Sequence, residues 1–562
     1  AGLPRGKQIK KFVAWDYVVF IALFLVSASI GVLFAIKERK KKSSKEFLVG
    51  GRQMTCGPIA FSLTSSFTSA VAILGTPSEV YRYGASFIFF TLAHTLAIIF
   101  TAELFVPVFY RSGITSTYEY LELRFNKVVR LAATLIYILQ TLFSYYPFAN
   151  HLVFFGFTVT GFDLWGSVAA TGIVCTFYCT LGGLKAVVWT DVFQMVIMLT
   201  GLITVLIRGT ILNGSPTNIW QRASEGSRLN VFDFDMDPLR RHTFWTIVVG
   251  GAFTWLGVYG VNQSTIQRCI SCKSEKHAKL ALYLNLLGLW IVLVCSVFSG
   301  LAMYSHYKDC DPWTGAFISA PDQLMPYFVM DIFSSMPGVP GLFVACAFSG
   351  TLSTVAASIN ALATVTFEDF IKELFPDMSE KRSTWVSKGS YKIITNYHLL
   401  LPNSPLQSCI LVITNSFSFI FAQGAIGGLL IGITIAFWVA IGSFIYPVPS
   451  VKAVPLDLST AGCILANSTD TLTTVAPTTA PARYFPTARR QRRRTWPLLA
   501  DTWYSLSYLY FSAIGCLGCI AAGLLISFAT GWFNPKFWFC PRTQLSCGPS
   551  NTHLAARKGQ LH

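Results

Sequence analysis

The sequence predicts an all-α membrane protein, a bundle of many spanning helices. Three observations predict it. The 562 residues are 53% apolar and only 12% charged, about half the charge of a soluble domain. Mean hydropathy is +0.53. Stretches of about 20 apolar residues, enough to cross a hydrocarbon core, recur from residue 17 to residue 529. This composition excludes a soluble enzyme, a disordered chain and a secreted disulfide scaffold.

The candidate spans are 17–36, 57–80, 86–106, 131–150, 165–183, 186–207, 242–262, 280–303, 339–363, 424–446 and 503–529. The first follows a short polar arm and has no small-residue cleavage site after it. It reads as a retained helix rather than a signal peptide. The block Lys37-Glu38-Arg39-Lys40-Lys41-Lys42 then belongs to the cytoplasm, which places the N-terminus outside. Alternation puts Arg111, Arg124, Lys127 and Arg130 inside, with Arg268, Lys273, Lys276 and Lys279. Loop 208–241 falls outside despite Arg208, Arg222, Arg228, Arg240 and Arg241, an exception to the rule.

The net charge of +17, from 43 Lys+Arg against 26 Asp+Glu, therefore points to the membrane surface and not to nucleic acid. The 14 Cys are scattered. Cys269/Cys272 and Cys516/Cys519 have no nearby His and no matching pair, so no zinc site is expected.

Two sequons fall in outside loops, Asn213-Gly214-Ser215 and Asn467-Ser468-Thr469, and are candidate glycosylation sites. Asn467 lies in the Thr/Ala/Pro-rich loop 448–500, which reads as a flexible stalk. A third, Asn262-Gln263-Ser264, sits at the inner end of a span and is expected to be unused.

Polar groups are costly inside a span, so their placement is informative. In span 57–80, Ser62, Thr64, Ser65, Ser66, Thr68 and Ser69 crowd the first half, and Gly75-Thr76-Pro77 interrupts the second. A broken helix supplies free carbonyls, hydroxyls complete the shell, and a hard cation such as sodium would bind there. Helix packing through small residues explains the same pattern. In span 339–363, Gly350, Ser353 and Thr354 share one face by helical spacing, and both readings apply again. His94 lies mid-span, either a substrate contact or a neutral His bonded to a carbonyl. Asp191 near the start of span 186–207 either draws a cation to the inner mouth or caps the helix, and the cap is favoured. Glu79 is expected to pair with Arg82.

Several stretches carry a family resemblance. They are Gly50-Gly51-Arg52, the Ser62–Ser69 run with Gly75-Thr76-Pro77-Ser78-Glu79, Ser116-Thr117-Tyr118-Glu119-Tyr120-Leu121-Glu122, Gly182-Gly183-Leu184-Lys185-Ala186, Trp189-Thr190-Asp191-Val192-Phe193-Gln194 and Gly260-Val261-Asn262-Gln263. Together they resemble the sodium/solute symporter family over most of residues 12–370, then 424–447 and 501–530. Cys269-Ile270-Ser271-Cys272-Lys273 through Trp290, and Ser319-Ala320-Pro321-Asp322-Gln323-Leu324-Met325-Pro326, look most like its monocarboxylate-carrying branch. The iodide and biotin/pantothenate carriers are close relatives.

The resemblance implies a transporter bundle of two inverted five-helix repeats (LeuT-like) with extra flanking helices. The N-terminal helix and basic loop would be 1–54, and the first repeat 55–207. The second repeat would be 242–422, and the C-terminal helices with their outer loop 423–530. A cytoplasmic tail would be 531–562. The resemblance also implies sodium-coupled symport of lactate, pyruvate, short-chain fatty acids or nicotinate across the plasma membrane, with no cofactor beyond the coupling sodium. The partners would be sodium, a small monocarboxylate anion and the lipid bilayer; the oligomeric state stays open. By position, sodium would be held by carbonyls of Ser65, Thr68 and Gly350 and hydroxyls of Ser353 and Thr354. The substrate cavity would involve Phe67, Ser69, Ala72, Thr91, His94 and Trp255. Position 72 is often polar in the family, and Ala72 departs from that.

Two further departures stand out. Residues 143–158 replace a segment that normally carries a Tyr-Thr-Gly run. Residues 389–422 leave too little apolar chain for the helices expected there, so the second repeat reads as incomplete. With zero or two spans in that stretch, loop 448–500 lies outside; with one, it lies inside. Zero or a re-entrant segment is preferred. The competing readings are a working symporter and a non-transporting variant of one. A membrane enzyme finds no metal-ligand spacing and no nucleophile motif.

Overall fold

The computed structural model describes residues 12–37, 44–141, 164–318, 320–379, 382–383, 385–389, 422–446, 455–463 and 502–529. Residues 143–158, residues 390–421 of the 389–422 stretch, Asn467 and the tail beyond 530 lie outside the described residues. Among the described residues there is no strand, only an isolated bridge between Met54 and Cys272. Seven continuous helical elements among the described residues are long and apolar enough to cross a membrane, eight with one bent pair, and one of the seven, Ala170–Leu212, is divided at Gly183.

Helix α1 (Ala14–Lys37) is apolar along its length, as a lipid-facing helix must be. Its one buried acid is Asp16. The carboxylate accepts from Val13 N at 2.9 Å, and from Gly338 N and Gly341 N at 2.9 and 3.0 Å. A charge that would be costly in the bundle is thus held by amides at two helix N-termini. Further along, a Cβ on Gly31 would lie 2.4 Å from Tyr178 Cβ, so the small residue lets α1 seat closely.

The second span is broken. Helix α2 (Cys56–Phe67) ends at Thr68, which leaves the helical region at φ −87°, ψ 72°. Helix α3 (Thr76–Tyr83) follows a π turn at Val71–Gly75. The two limbs diverge by 63°. The sequence places the interruption at Gly75-Thr76-Pro77; the structure places it at Thr68–Ser69. Pro77 follows directly on the π turn, whose wider spacing makes room for the ring. Helix α4 (Ala85–Arg111) runs through its π turn at Thr101–Phe105 without a break. Helix α5 covers 127–141.

The long element Leu164–Leu212 holds two spans joined at Gly183 (φ 58°, ψ −156°). We number its limbs α6 (164–182) and α7 (184–212). Cys175 and Cys179 reach the carbonyls of Leu352 and Ala356, so α6 runs parallel to helix α11 (Val339–Leu374). Ser62 and Ser65 on α2 reach Asp191 and Met198 on α7, so α7 is parallel to α2. Ser66 meets Ser353, and the Thr68 carbonyl faces Gly350, so α2 is antiparallel to α11. The chain therefore reverses at Gly183, as the two predicted spans require. A Cβ there would lie 2.5 Å from the Phe47 carbonyl oxygen, at a φ that already disfavours side chains.

A second interrupted helix follows. Helix α8 (Thr246–Gly260) ends before Val261 and Asn262, and α9 (Gln263–Ile270) begins with the Asn262 side chain accepting from Ser264 N. Helix α10 (Glu275–Tyr307) crosses behind α2 and α3. Cβ atoms on Gly288 and Gly300 would lie 2.7 Å from Thr64 Oγ1 and the Pro77 carbonyl oxygen. Helices α12 (Ala422–Ile445) and α13 (Tyr508–Ala529) pack on each other through glycines, Gly428 against Cys519 and Gly432 against Gly515.

One face collects the ends of many helices. The segment 455–463 is tied there: Leu456 N donates to the Arg82 carbonyl, Asp311 N to Ser459, and Gly462 N to Asp309. A disulfide joins Cys310 to Cys463. Ser507 N donates to Pro238 on the same face, so α13 runs away from it. The start of α1 is there too, through Asp16. The arginines of 208–241 are all engaged on this face. Arg208 and Arg222 donate to the carbonyls of Ile332 and Ser305. Arg228 is buried over the Tyr304 ring and donates to Asp457. Arg240 pairs with Asp233 and Asp235, and Arg241 with Glu79. Each is bound by a local partner.

Candidate binding site

A cavity of about 700 Å³ lies between the two breaks. Thr68 and Ser69 line it from the first interruption, Asn262 and Ser264 from the second. Phe67, Ser69, Ala72, His94 and Trp255 all line it, as expected. Thr91 does not. Its hydroxyl donates to Ile88 O at 2.7 Å, and its carbonyl accepts from Trp290 Nε1 at 3.2 Å, so it faces α10.

The aromatic wall is continuous. Phe67 tilts on Tyr259 at 4.5 Å and meets Trp255 edge-on at 6.3 Å. His94 sits 4.5 Å from Trp255, T-shaped. His94 is buried, and both ring nitrogens lack a protein partner. The carbonyl-bonded reading of this residue therefore fails. An unpaired buried polar group is costly, and a ligand in the cavity would supply the missing partner.

Of the five residues of the sodium set, Thr68, Gly350, Ser353 and Thr354 gather around the broken end of α2, where Thr68 and Thr354 line the cavity. Thr354 Oγ1 lies 2.7 Å from Ser66 O and 2.8 Å from Gly350 O. Ser353 Oγ lies 2.8 Å from Ser66 Oγ. A Cβ on Gly350 would lie 2.6 Å from the Thr68 carbonyl oxygen, so two backbones touch there. Ser65 is fully buried one turn before the break, its hydroxyl turned to Met198 Sδ. Ser66, which the sequence reading left out, connects the set.

Asp191 is neither a helix cap nor an open mouth. It lies well inside α7, is fully buried, and accepts from Ser62 Oγ at 2.5 Å. Arg268 stands 3.7 Å away and donates to Ser62 O at 3.0 Å and Ser66 Oγ at 2.7 Å. Arg268 fills bonds to Ser62 and Ser66, while the contacts of Asp191 both fall on Oδ2 and leave Oδ1 without a hydrogen-bond partner. Here they bind α7 and α9 to the end of α2.

Other expectations change. Glu79 pairs with Arg241 at 3.2 Å, not with Arg82, whose guanidinium lies over Tyr83 and Trp313. Asn213 is buried; its amide donates to Gly209 O at 2.8 Å and accepts from Ser305 at 2.8 Å. Such an engaged amide does not present itself to a glycan.

The cavity also takes in residues that sequence reasoning missed. Gln140 and Thr141 contribute from α5, and Glu79, Arg82, Arg241 and Tyr508 from the face that carries 455–463. Gln140 was detectable as a polar residue deep in an apolar span. Arg241 was detectable as part of the charge-rule exception.

A helical bundle with a polar-floored cavity between two interrupted spans has the architecture of a secondary transporter. The solved structure of a Na+-coupled sialic acid symporter in a substrate-bound outward-open state has this fold: TM-score 0.72 at 18% identity, covering 93% of this chain and 99% of that one. Residues 47–440 match the sodium:solute symporter family, and the chain belongs to it. The mouse sodium-coupled monocarboxylate transporter 2 is 62% identical over 93% of this chain and 85% of its own length. The Xenopus laevis sodium-coupled monocarboxylate transporter 1 is 51% identical over 93% and 87%. The human sodium/iodide cotransporter is 44% identical over 92% and 84%.

Proposed function

We propose that this chain is a sodium-coupled symporter of small monocarboxylates in the plasma membrane. The observation that carries the proposal is the cavity floor. There the broken end of α2 meets Gly350, Ser353 and Thr354, oxygen ligands suited to a hard cation. Sodium held there by Ser65, Thr68, Gly350, Ser353 and Thr354 would place a positive charge at the base of a cavity lined by Phe67, Ser69, Ala72, His94 and Trp255. An anion's carboxylate lies beside that charge, and its apolar part lies on the aromatic wall.

Sodium binds first and fixes the α2–α3 break. The anion follows, and the bundle rocks to expose the site on the opposite face. Each inward charge gains about 2.3 kcal/mol per 100 mV of membrane potential. The degree of identity favours monocarboxylates over iodide.

The face bearing 455–463 is read as extracellular, because a Cys310–Cys463 disulfide suits an oxidising compartment. The N-terminus is then outside and the C-terminus cytoplasmic, and loop 448–500 is outside, as zero or two spans in 389–422 require. Asn467 remains the glycosylation candidate.

Uptake of labelled lactate or butyrate by cells expressing this chain, in sodium and in choline, tests the reading. Sodium-dependent uptake above control is expected. Absence of uptake with protein at the surface would favour a non-transporting variant, and sodium-dependent iodide uptake alone would reassign the substrate.

A further inference from the structure

At the mouth of the cavity, on the 455–463 face, Arg241 meets Glu79, with Arg82 and Asp322 also in the lining. Arg241 Nη2 donates to both oxygens of Glu79, at 3.2 and 3.3 Å. A single nitrogen astride both oxygens is not the side-on fork that gives an arginine its strongest carboxylate contact. Arg241 Nε is buried and has no protein partner. The group is aimed by its surroundings. The rings of Tyr83 and Tyr508 flank the guanidinium at 5.0 and 5.5 Å, and Ser507 Oγ holds the Arg241 carbonyl at 3.0 Å. Arg82 lies close by over the Tyr83 and Trp313 rings at 5.0 and 4.8 Å, its Nε also buried and unpartnered. Arg82, Arg241, Glu79 and Asp322 all line the cavity, and so does Tyr508.

We propose that Arg241 is a specificity-determining residue that receives the substrate's carboxylate at the cavity mouth, in exchange for Glu79, before the anion moves down to the sodium-bearing floor. The inference rests on the reading of the chain as a monocarboxylate symporter. The exchange makes physical sense because it replaces one carboxylate by another. The arginine is never left bare, and Nε gains the bond it lacks in the resting pair. Glu79 swings toward solvent, where it is already partly exposed. A neutral solute of the same shape could not displace Glu79 and would gain nothing from the arginine. The mouth thus selects for the acid over its amide, with the aromatic wall below taking the apolar part.

The test is sodium-dependent nicotinate uptake by the full chain in cells, with surface protein measured in parallel. Variants are Arg241→Gln, Arg241→Lys, Glu79→Gln and the exchange Glu79→Arg with Arg241→Glu. Loss of a charged hydrogen-bond donor predicts a rise of about tenfold in anion half-saturation for Arg241→Gln. Maximal rate per surface molecule and sodium half-saturation should stay within about twofold. Arg241→Lys should recover part of the loss, because the charge remains but the fork does not. Glu79→Gln removes the competitor and should lower anion half-saturation. It also serves if Arg241→Gln fails to reach the surface. Inhibition by nicotinate should exceed that by nicotinamide in the parent, and this difference should shrink in Arg241→Gln.

A purely structural ion pair predicts otherwise. In that case Glu79→Gln weakens uptake and the charge exchange restores it; either result overturns the proposal. A parent chain with no sodium-dependent uptake of any monocarboxylate would sink the functional reading itself. A working parent with a restored exchange variant would sink only the role of Arg241.

Discussion

The Thr354 hydroxyl lies 2.7 Å from the Ser66 carbonyl and 2.8 Å from the Gly350 carbonyl. One hydroxyl has one proton, so it donates to only one of these two carbonyls at a time. Three oxygens from two helices therefore converge at the α2 break.

Removing hydroxyls there tests the sodium assignment. Ser353→Ala with Thr354→Ala should abolish sodium-dependent uptake, or raise sodium half-saturation by more than about tenfold. Surface expression should persist, because both side chains are small and their loss leaves little void. Uptake that keeps the parent's sodium dependence would move the cation elsewhere.

Gly350 makes a sharper prediction, since its environment is backbone and cannot swing aside. A Cβ there would lie 2.6 Å from Thr68 O, 3.2 Å from Ser69 C and 3.3 Å from Ala70 N. Gly350→Ala must push the broken end of α2 off α11, at a cost of about 1–3 kcal/mol. Uptake should be lost. Gly57→Ala, at the start of α2 with nothing within 4 Å of its Cβ, should transport normally. Equal behaviour of the two variants, by surface biotinylation and uptake, would refute the close approach.

The spans were legible because hydrocarbon length and apolar runs are a one-dimensional property. The reversal at Gly183 fell where two apolar stretches met. The break in the second span was misplaced because Pro77 is the conspicuous breaker, whereas the real interruption at Thr68–Ser69 contains neither Gly nor Pro. It follows from tertiary contacts, the Gly350 backbone and the Thr354 hydroxyl, that no local signal carries. Asp191 was misread for a similar reason. Its position near a helix start suggested a cap, but its partners, Ser62 and Arg268, are far away in sequence. Thr91 was placed by family position and turned out to face α10. The 208–241 arginines each have a separate partner that the sequence alone does not show.

His94 carries the next prediction. Its two unpartnered nitrogens and its contact with Trp255 put it on the cavity wall, away from the Ser353–Thr354 floor. His94→Ala should raise anion half-saturation by about tenfold. Sodium half-saturation, measured at saturating anion, should move less than about twofold. The reverse pattern in uptake kinetics would detach His94 from the substrate and tie it to the ion.

The Cys310–Cys463 bond allows the orientation to be tested without any transport measurement. Both cysteines lie on the face that also bears the start of α1, the 208–241 loop and Ser507. If that face is extracellular, a membrane-impermeant maleimide on intact cells should label the pair only after an impermeant phosphine has reduced it. The added label should vanish in Cys310→Ser with Cys463→Ser. Labelling that requires permeabilised cells would put the face in the cytoplasm. It would also invert the reading of the basic block after α1, because that one crossing puts the two ends of α1 on opposite sides. One labelling experiment therefore fixes the side of the cavity mouth, of Arg241 and of the N-terminus together.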